Sequence, residues 1–104
     1  MNLNDYADWQ ERMWRGEGNA WERKDKDVTV CALGLAGEAG EVVEHFKKYF
    51  RDGKKYHRKH DLALELGDVA FYFVRLCRAA GYEPEEILDM NKAKLEEKFP
   101  GRKS

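Results

Sequence analysis

Apolar residues recur along this chain at spacings of three and four, and four helices account for them. Tyr6, Trp9 and Met13, with Trp14 beside them, mark a first helix that Asn4 can cap and that runs to about Arg15, with Trp9 on its core face. Gly16 and Gly18-Asn19 break the pattern, and Glu22 to Asp27 reads as a charged connector. A second helix is expected from Asp27, a favourable N-cap, through Val30, Leu33, Ala36, Val43, Phe46 and Phe50 to the turn signal Asp52-Gly53. It carries Gly34, Gly37 and Gly40. Each costs up to ~1 kcal/mol against alanine, so close approach of another backbone or a ligand is expected there. After a basic, loop-like segment, Gly53 to His60, a third helix spans about Asp61 to Ala80 with Gly81 as its stop. A fourth starts at Pro84, passes Ile87, Leu88, Met90 and Leu95, and ends at Phe99-Pro100.

The stretch Val69 to Val74 is apolar all round, and a helix apolar on every side is buried on every side. A chain of 104 residues can hardly enclose it alone. The expectation is an all-α fold: a compact antiparallel bundle of four to five helices, completed by association into a homodimer or homotetramer. The length allows a single domain, residues 1–104 with a core at about 28–102.

Composition narrows the function classes. Asp, Glu, Lys and Arg make up 38% of the chain, yet their signs cancel to a net −1, which argues against a nucleic-acid or membrane binder. Cys31 and Cys77 stand far apart and outside any CxxC pair, so they read as buried free thiols rather than zinc or redox ligands. The polar, acidic start and the lack of a long apolar run predict a cytoplasmic protein without a secretory signal.

Two acidic motifs do not fit a purely structural pattern. Glu38-Ala39-Gly40-Glu41 and Glu65-Leu66-Gly67-Asp68 each place two carboxylates three residues apart, on one helical face, inside apolar sequence. Four carboxylates converging from two helices make an all-oxygen site for a hard divalent cation, with Mg²⁺ the best match and Mn²⁺ able to substitute. Glu44, one turn beyond Glu41, is a candidate ligand for a second metal or a water-orienting base. A di-iron site is disfavoured, because it calls for Glu-x-x-His and His45 stands one place too late after Glu41.

The run Gly34 to Val42, then Glu65 to Val69, resembles the MazG-like all-α nucleoside triphosphate pyrophosphohydrolases, whose signature is ExxE, a variable gap, then ExxD. The tail Asn91-Lys92-Ala93-Lys94-Leu95 with Phe99 to Arg102 is similar to that family's C-terminal helix. The resemblance implies hydrolysis of a nucleoside or deoxynucleoside triphosphate between the α and β phosphates, with Mg²⁺ held by Glu38, Glu41, Glu65 and Asp68. It implies a place in clearing the nucleotide pool, and dimers or tetramers. It also implies phosphate or sugar contacts for Asn91 and Lys94.

The rest of the substrate needs cations and flat apolar surface. Lys47 and Lys48, near the first motif, and Lys54 or Lys55 in the basic segment are candidates for the phosphates, whereas His57 and His60 are expected to be solvated. Tyr72, one turn after Asp68, and Trp21, before the motif helices, are candidates for the sugar or base. Three readings compete with the triphosphate hydrolase: a hydrolase of another pyrophosphate such as a phosphoribosyl-nucleotide or an alarmone, a non-catalytic helical interaction module, and nucleic-acid binding through residues 47–60.

Overall fold

Local signals set the helix ends, and they differ in detail from the expected ones. The computed structural model describes residues 1–14, 24–53 and 58–101. Its helices are α1 Leu3–Trp14, α2 Lys24–Asp52, α3 Lys59–Ala79 and α4 Pro84–Lys98. No strand occurs among the described residues, so the all-α class holds.

Asn2, not Asn4, caps α1: its side-chain oxygen accepts the Asp5 N–H at 2.8 Å. Asn4 is committed to tertiary structure instead, accepting the Glu85 N–H at 3.1 Å, while the Glu85 carboxylate accepts the Leu3 N–H at 3.0 Å. These reciprocal bonds tie the starts of α1 and α4 together. Helix α2 begins at Lys24, so Asp27 lies inside it rather than capping it. At the end of α3, Tyr82 N–H bonds to Cys77 C=O and Gly81 N–H to Arg78 C=O, with Gly81 at φ +93°. This pairing needs a left-handed residue just past the helix, which glycine supplies at no steric cost. Glu83 and Glu86 then cap α4 reciprocally, with Pro84 in its first turn.

Helices α2 and α3 form a long antiparallel hairpin. Its register is marked by Asp27 against Arg75, Gly34 against Tyr72, and Glu38 against Glu65 and Asp68. Helix α1 crosses the second half of α3, where Gln10 donates to the Phe71 carbonyl at 2.8 Å. Arg78 gathers Asp8 at 2.8 Å, Glu11 at 3.2 Å and Glu83 at 2.7 Å, joining α1, α3 and the turn before α4. The core is small and sits where α1 and the start of α2 meet the end of α3: Ala7, Cys31, Val74, Cys77 and Ala79 are buried, with Gln10, Asp27 and Arg75 among them. Burial pushes both thiols above their ordinary pKa, which keeps them protonated and unreactive. Trp9 is not on this core face; it stays partly exposed, and Ala7 and Gln10 take the buried positions.

Apolar surface remains on more than one helix. On α3, Val74 is buried and Val69 to Phe73 are half-buried. On α2, by contrast, Leu33 is 69% exposed, Val43 65% and Phe50 81%. The chain's radius of gyration is 16.6 Å, against about 13 Å for a compact chain of this length. A single copy is therefore more open than the compact bundle the apolar pattern predicts.

The α2 glycines divide in the same way. A Cβ on Gly34 would overlap the Tyr72 ring, whereas one on Gly37 or Gly40 would meet nothing within 4 Å. Gly34→Ala is therefore expected to destabilise the fold, because overpacking costs of about 1–3 kcal/mol exceed the helix-propensity gain. Gly37→Ala is expected to be neutral or stabilising by up to ~1 kcal/mol within one chain. Urea denaturation of the two variants side by side checks the difference.

Candidate metal centre and cavity

The hairpin register brings the two acidic motifs face to face. One carboxylate oxygen from each of Glu38, Glu65 and Asp68 lies within 4.8 Å of the other two. Glu38 and Glu65 are half-buried and Asp68 is exposed. Desolvation pushes the Glu38 carboxyl above its ordinary value, and the charges of Asp68, Glu65 and Glu41 push it further in the same direction. Like charges held this close favour a proton or a cation among them.

Glu41 stands beside this trio rather than within it. It lines a neighbouring cavity of about 350 Å³ together with Glu44, His45, Lys48, Arg58, Asp61, Leu64, Glu65 and Asp68. The lining is two helical stripes: Glu41, Glu44, His45 and Lys48 on α2, and Asp61, Leu64, Glu65 and Asp68 on α3, each spaced by three and four. The cavity is a trough between the paired helices, open to solvent and walled mostly by charge.

The other candidates are placed as follows. Lys48 reaches the cavity, whereas Lys47 is exposed and pairs loosely with Glu44 at 3.9 Å. Tyr72 lies one turn beyond Asp68, half-buried, with its ring against Gly34, so part of that ring is helix packing. Asn91 and Lys94 are exposed on α4 and do not line the cavity. Trp21, Lys54, Lys55 and His57 lie outside the described residues, and His60 is exposed. A residue unforeseen from the sequence is Tyr6. Its phenol is pushed up by burial and then by the charge of Asp68, which places α1 close to the acidic cluster. In the sequence it is only one apolar residue among several on the face of α1. His45 and Asp61 were likewise not foreseen as cavity residues, although each stands four residues from a motif acid, and Arg58, seven before Glu65, belongs to the basic segment that was expected near the phosphates.

A family profile for the MazG nucleotide pyrophosphohydrolase domain matches residues 27–103. The chain belongs to that family. The matched span includes α2, α3 and α4 and every acid of the cluster. This MazG-family chain is also similar to the "Gene 37 protein" of Mycobacterium phage L5, at 33% identity over 72 residues, 66% of this chain. That match spans 63% of the phage protein's length. No solved structure matches the chain. Among the described residues no helix is long and apolar enough to cross a membrane.

MazG-family proteins are generally dependent on divalent metal ions, and the residues present suit such a group. The donor set is carboxylate only, without cysteine or histidine in the trio, which favours a hard cation over zinc. A cation among the three carboxylates would favour the ionised form of Glu38, which desolvation and its acidic neighbours disfavour. The sign of its pH dependence follows. Because the folded value lies above the ordinary 4.5, the metal-free fold binds more protons than the unfolded chain in that window and loses stability as pH rises through it. Cation binding needs the ionised form, so Mg²⁺ or Mn²⁺ affinity is expected to rise with pH across the same window and then level off. Thermal melts with and without Mn²⁺ from pH 4.5 to 7.5 check both trends.

Proposed function

We propose that this chain hydrolyses a nucleoside or deoxynucleoside triphosphate at the α–β phosphate bond, releasing the monophosphate and pyrophosphate. The observation that carries this reading is the convergence of Glu38, Glu65 and Asp68 inside the span matched to the MazG domain. These three, with Glu41 beside them, would hold Mg²⁺, with Mn²⁺ as a substitute. A bound divalent cation supplies charge neutralisation at phosphoryl oxygens and an activated nucleophile. Glu44, on the cavity wall one turn from Glu41, is assigned the role of base that accepts a proton from water and orients it; its place in the lining supports this. Lys48 faces the same cavity and neutralises phosphate charge, with Lys47 and Lys54 as further cations of the phosphate approach. The exposed part of Tyr72 and the ring of Trp21 are assigned to the sugar and base. Asn91 and Lys94 lie on α4 outside the cavity lining and are assigned to phosphate or sugar contacts beyond the trough.

A second copy also has a surface to cover. The outward face of α2 exposes Leu33, Val43 and Phe50 around the open Gly37 and Gly40. We assign this face to self-association as a homodimer or homotetramer, which sedimentation velocity would test; a monomer across the working concentration range would remove the assignment. The activity is tested with a panel of canonical and modified NTPs and dNTPs in Mg²⁺, scored for both products. Equal amounts of monophosphate and pyrophosphate, lost with EDTA, support α–β cleavage, and the ranking names the substrate, including any role in nucleotide-pool clearance. No turnover of any triphosphate would overturn the reading and turn attention to other pyrophosphates.

A further inference from the structure

The trough between α2 and α3 has a polarity that the acidic motifs do not explain. Its cations stand at one end only. Glu41, Glu65 and Asp68 lie at the other end, Glu44 and His45 lie between, and Lys48 and Arg58 close the trough with Asp61 one turn from Arg58. Along each helix the separation is seven residues, from Glu41 to Lys48 and from Glu65 to Arg58, or about 10 Å at the rise of an α-helix. Leu64 is the one apolar residue among the described residues of the lining, so the trough offers little to a nucleobase, and with a cation on its acids it would suit a chain of anionic groups.

We infer that Arg58, with His45 and Lys48, forms the subsite for the terminal two phosphates, the part of the substrate that leaves as pyrophosphate. This rests on the triphosphate reading above and adds to it where the leaving group sits and which residue clamps it. Three features favour Arg58. It stands in an extended conformation just before α3, at the end of the trough away from the motif acids. Its contact in the trough is an exposed pairing with Asp61 at 4.0 Å, a class worth about 0–1 kcal/mol and easily exchanged for a better anion. Guanidinium presents a rigid fork of donors that matches two phosphate oxygens at once, which lysine cannot do. Glu65 and Asp68 at the opposite end would hold the cation that neutralises one part of the phosphate chain, which would leave the remaining negative charge to Arg58 and Lys48.

The test is binding of inorganic pyrophosphate and, separately, orthophosphate, each with Mg²⁺, by isothermal titration calorimetry on wild-type protein, Arg58→Gln and Arg58→Lys. The expected result is pyrophosphate binding at least tenfold weaker in Arg58→Gln and intermediate in Arg58→Lys, with orthophosphate affinity changed less than twofold. Because Arg58 is exposed, circular dichroism should show all three proteins equally folded. Pyrophosphate affinity unchanged in Arg58→Gln, or no pyrophosphate binding by the wild type, would overturn the assignment. The parent reading fails separately: a wild type that turns over no nucleoside triphosphate but binds pyrophosphate through Arg58 loses the reaction and keeps the subsite.

Discussion

Asp68→Asn is expected to lower turnover at least about 100-fold while leaving the helices intact, on the scale of removing one group that acts directly on transition-state charge. Asp68 is exposed, so the substitution changes little packing. Its carboxylate nevertheless lies within 4.8 Å of those of Glu38 and Glu65. An amide keeps the shape and one oxygen but removes the charge that a hard cation selects. The same change takes away one of the charges that raise the Glu38 carboxyl, so the metal-free protein should become slightly more stable even as it loses activity. Opposite movement of stability and activity separates a ligand from a structural residue. Glu65→Gln and Glu38→Gln should behave alike, and Glu41→Gln is the informative comparison, because Glu41 stands beside the trio. Wild-type turnover in Asp68→Asn, or unchanged Mn²⁺ affinity by calorimetry, would remove the cluster from the mechanism.

The largest stability effect is expected at Asp27. This carboxylate, 4% exposed, faces the guanidinium of Arg75, 2% exposed, with 3.6 Å between the nearest atoms. Its other oxygen is buried without a hydrogen-bond partner. Such a pair contributes little net stability, since desolvation offsets the attraction, but deleting one member leaves the other charge buried. Asp27→Ala is therefore expected to cost about 3–5 kcal/mol, a large part of the 5–15 kcal/mol typical of a whole domain. Asp27→Leu combined with Arg75→Met should recover most of that loss, because both uncompensated charges are then gone. Equilibrium urea unfolding of the single and double variants measures both. A single variant within 1 kcal/mol of wild type would show that the pair is not what holds the start of α2 against α3.

This pair also shows where sequence reading reaches its limit. Asp before an apolar run is an ordinary helix-start signal, and it pointed to a cap at Asp27. The helix instead begins three residues earlier at Lys24, and Asp27 is buried against Arg75, 48 positions away in the sequence. Asn4 was displaced in the same manner, its capping group taken by Glu85 at the far end of the chain. In both cases a short polar side chain had two uses, and a distant partner decided between them. The apolar run Val69 to Val74 is covered in part by α1 and α2, and exposed apolar side chains occur on α2, α3 and α4 alike. Periodicity identifies an apolar face but not the neighbour that covers it.

The sequence by itself determined the helical class, the Gly81 stop, the Pro84 start, and the motif acids on facing helices, because these depend on backbone sterics and on spacings of three and four within one helix. Only the tertiary structure decided that Glu38, Glu65 and Asp68 converge while Glu41 turns toward the trough. It alone brought Tyr6 near Asp68 and placed Arg58 and His45 opposite the acids. Those relations depend on the register between α2 and α3 and on the crossing of α1. That register rests on contacts between distant positions, Gly34 with Tyr72 and Asp27 with Arg75, and no local pattern encodes a distance between them.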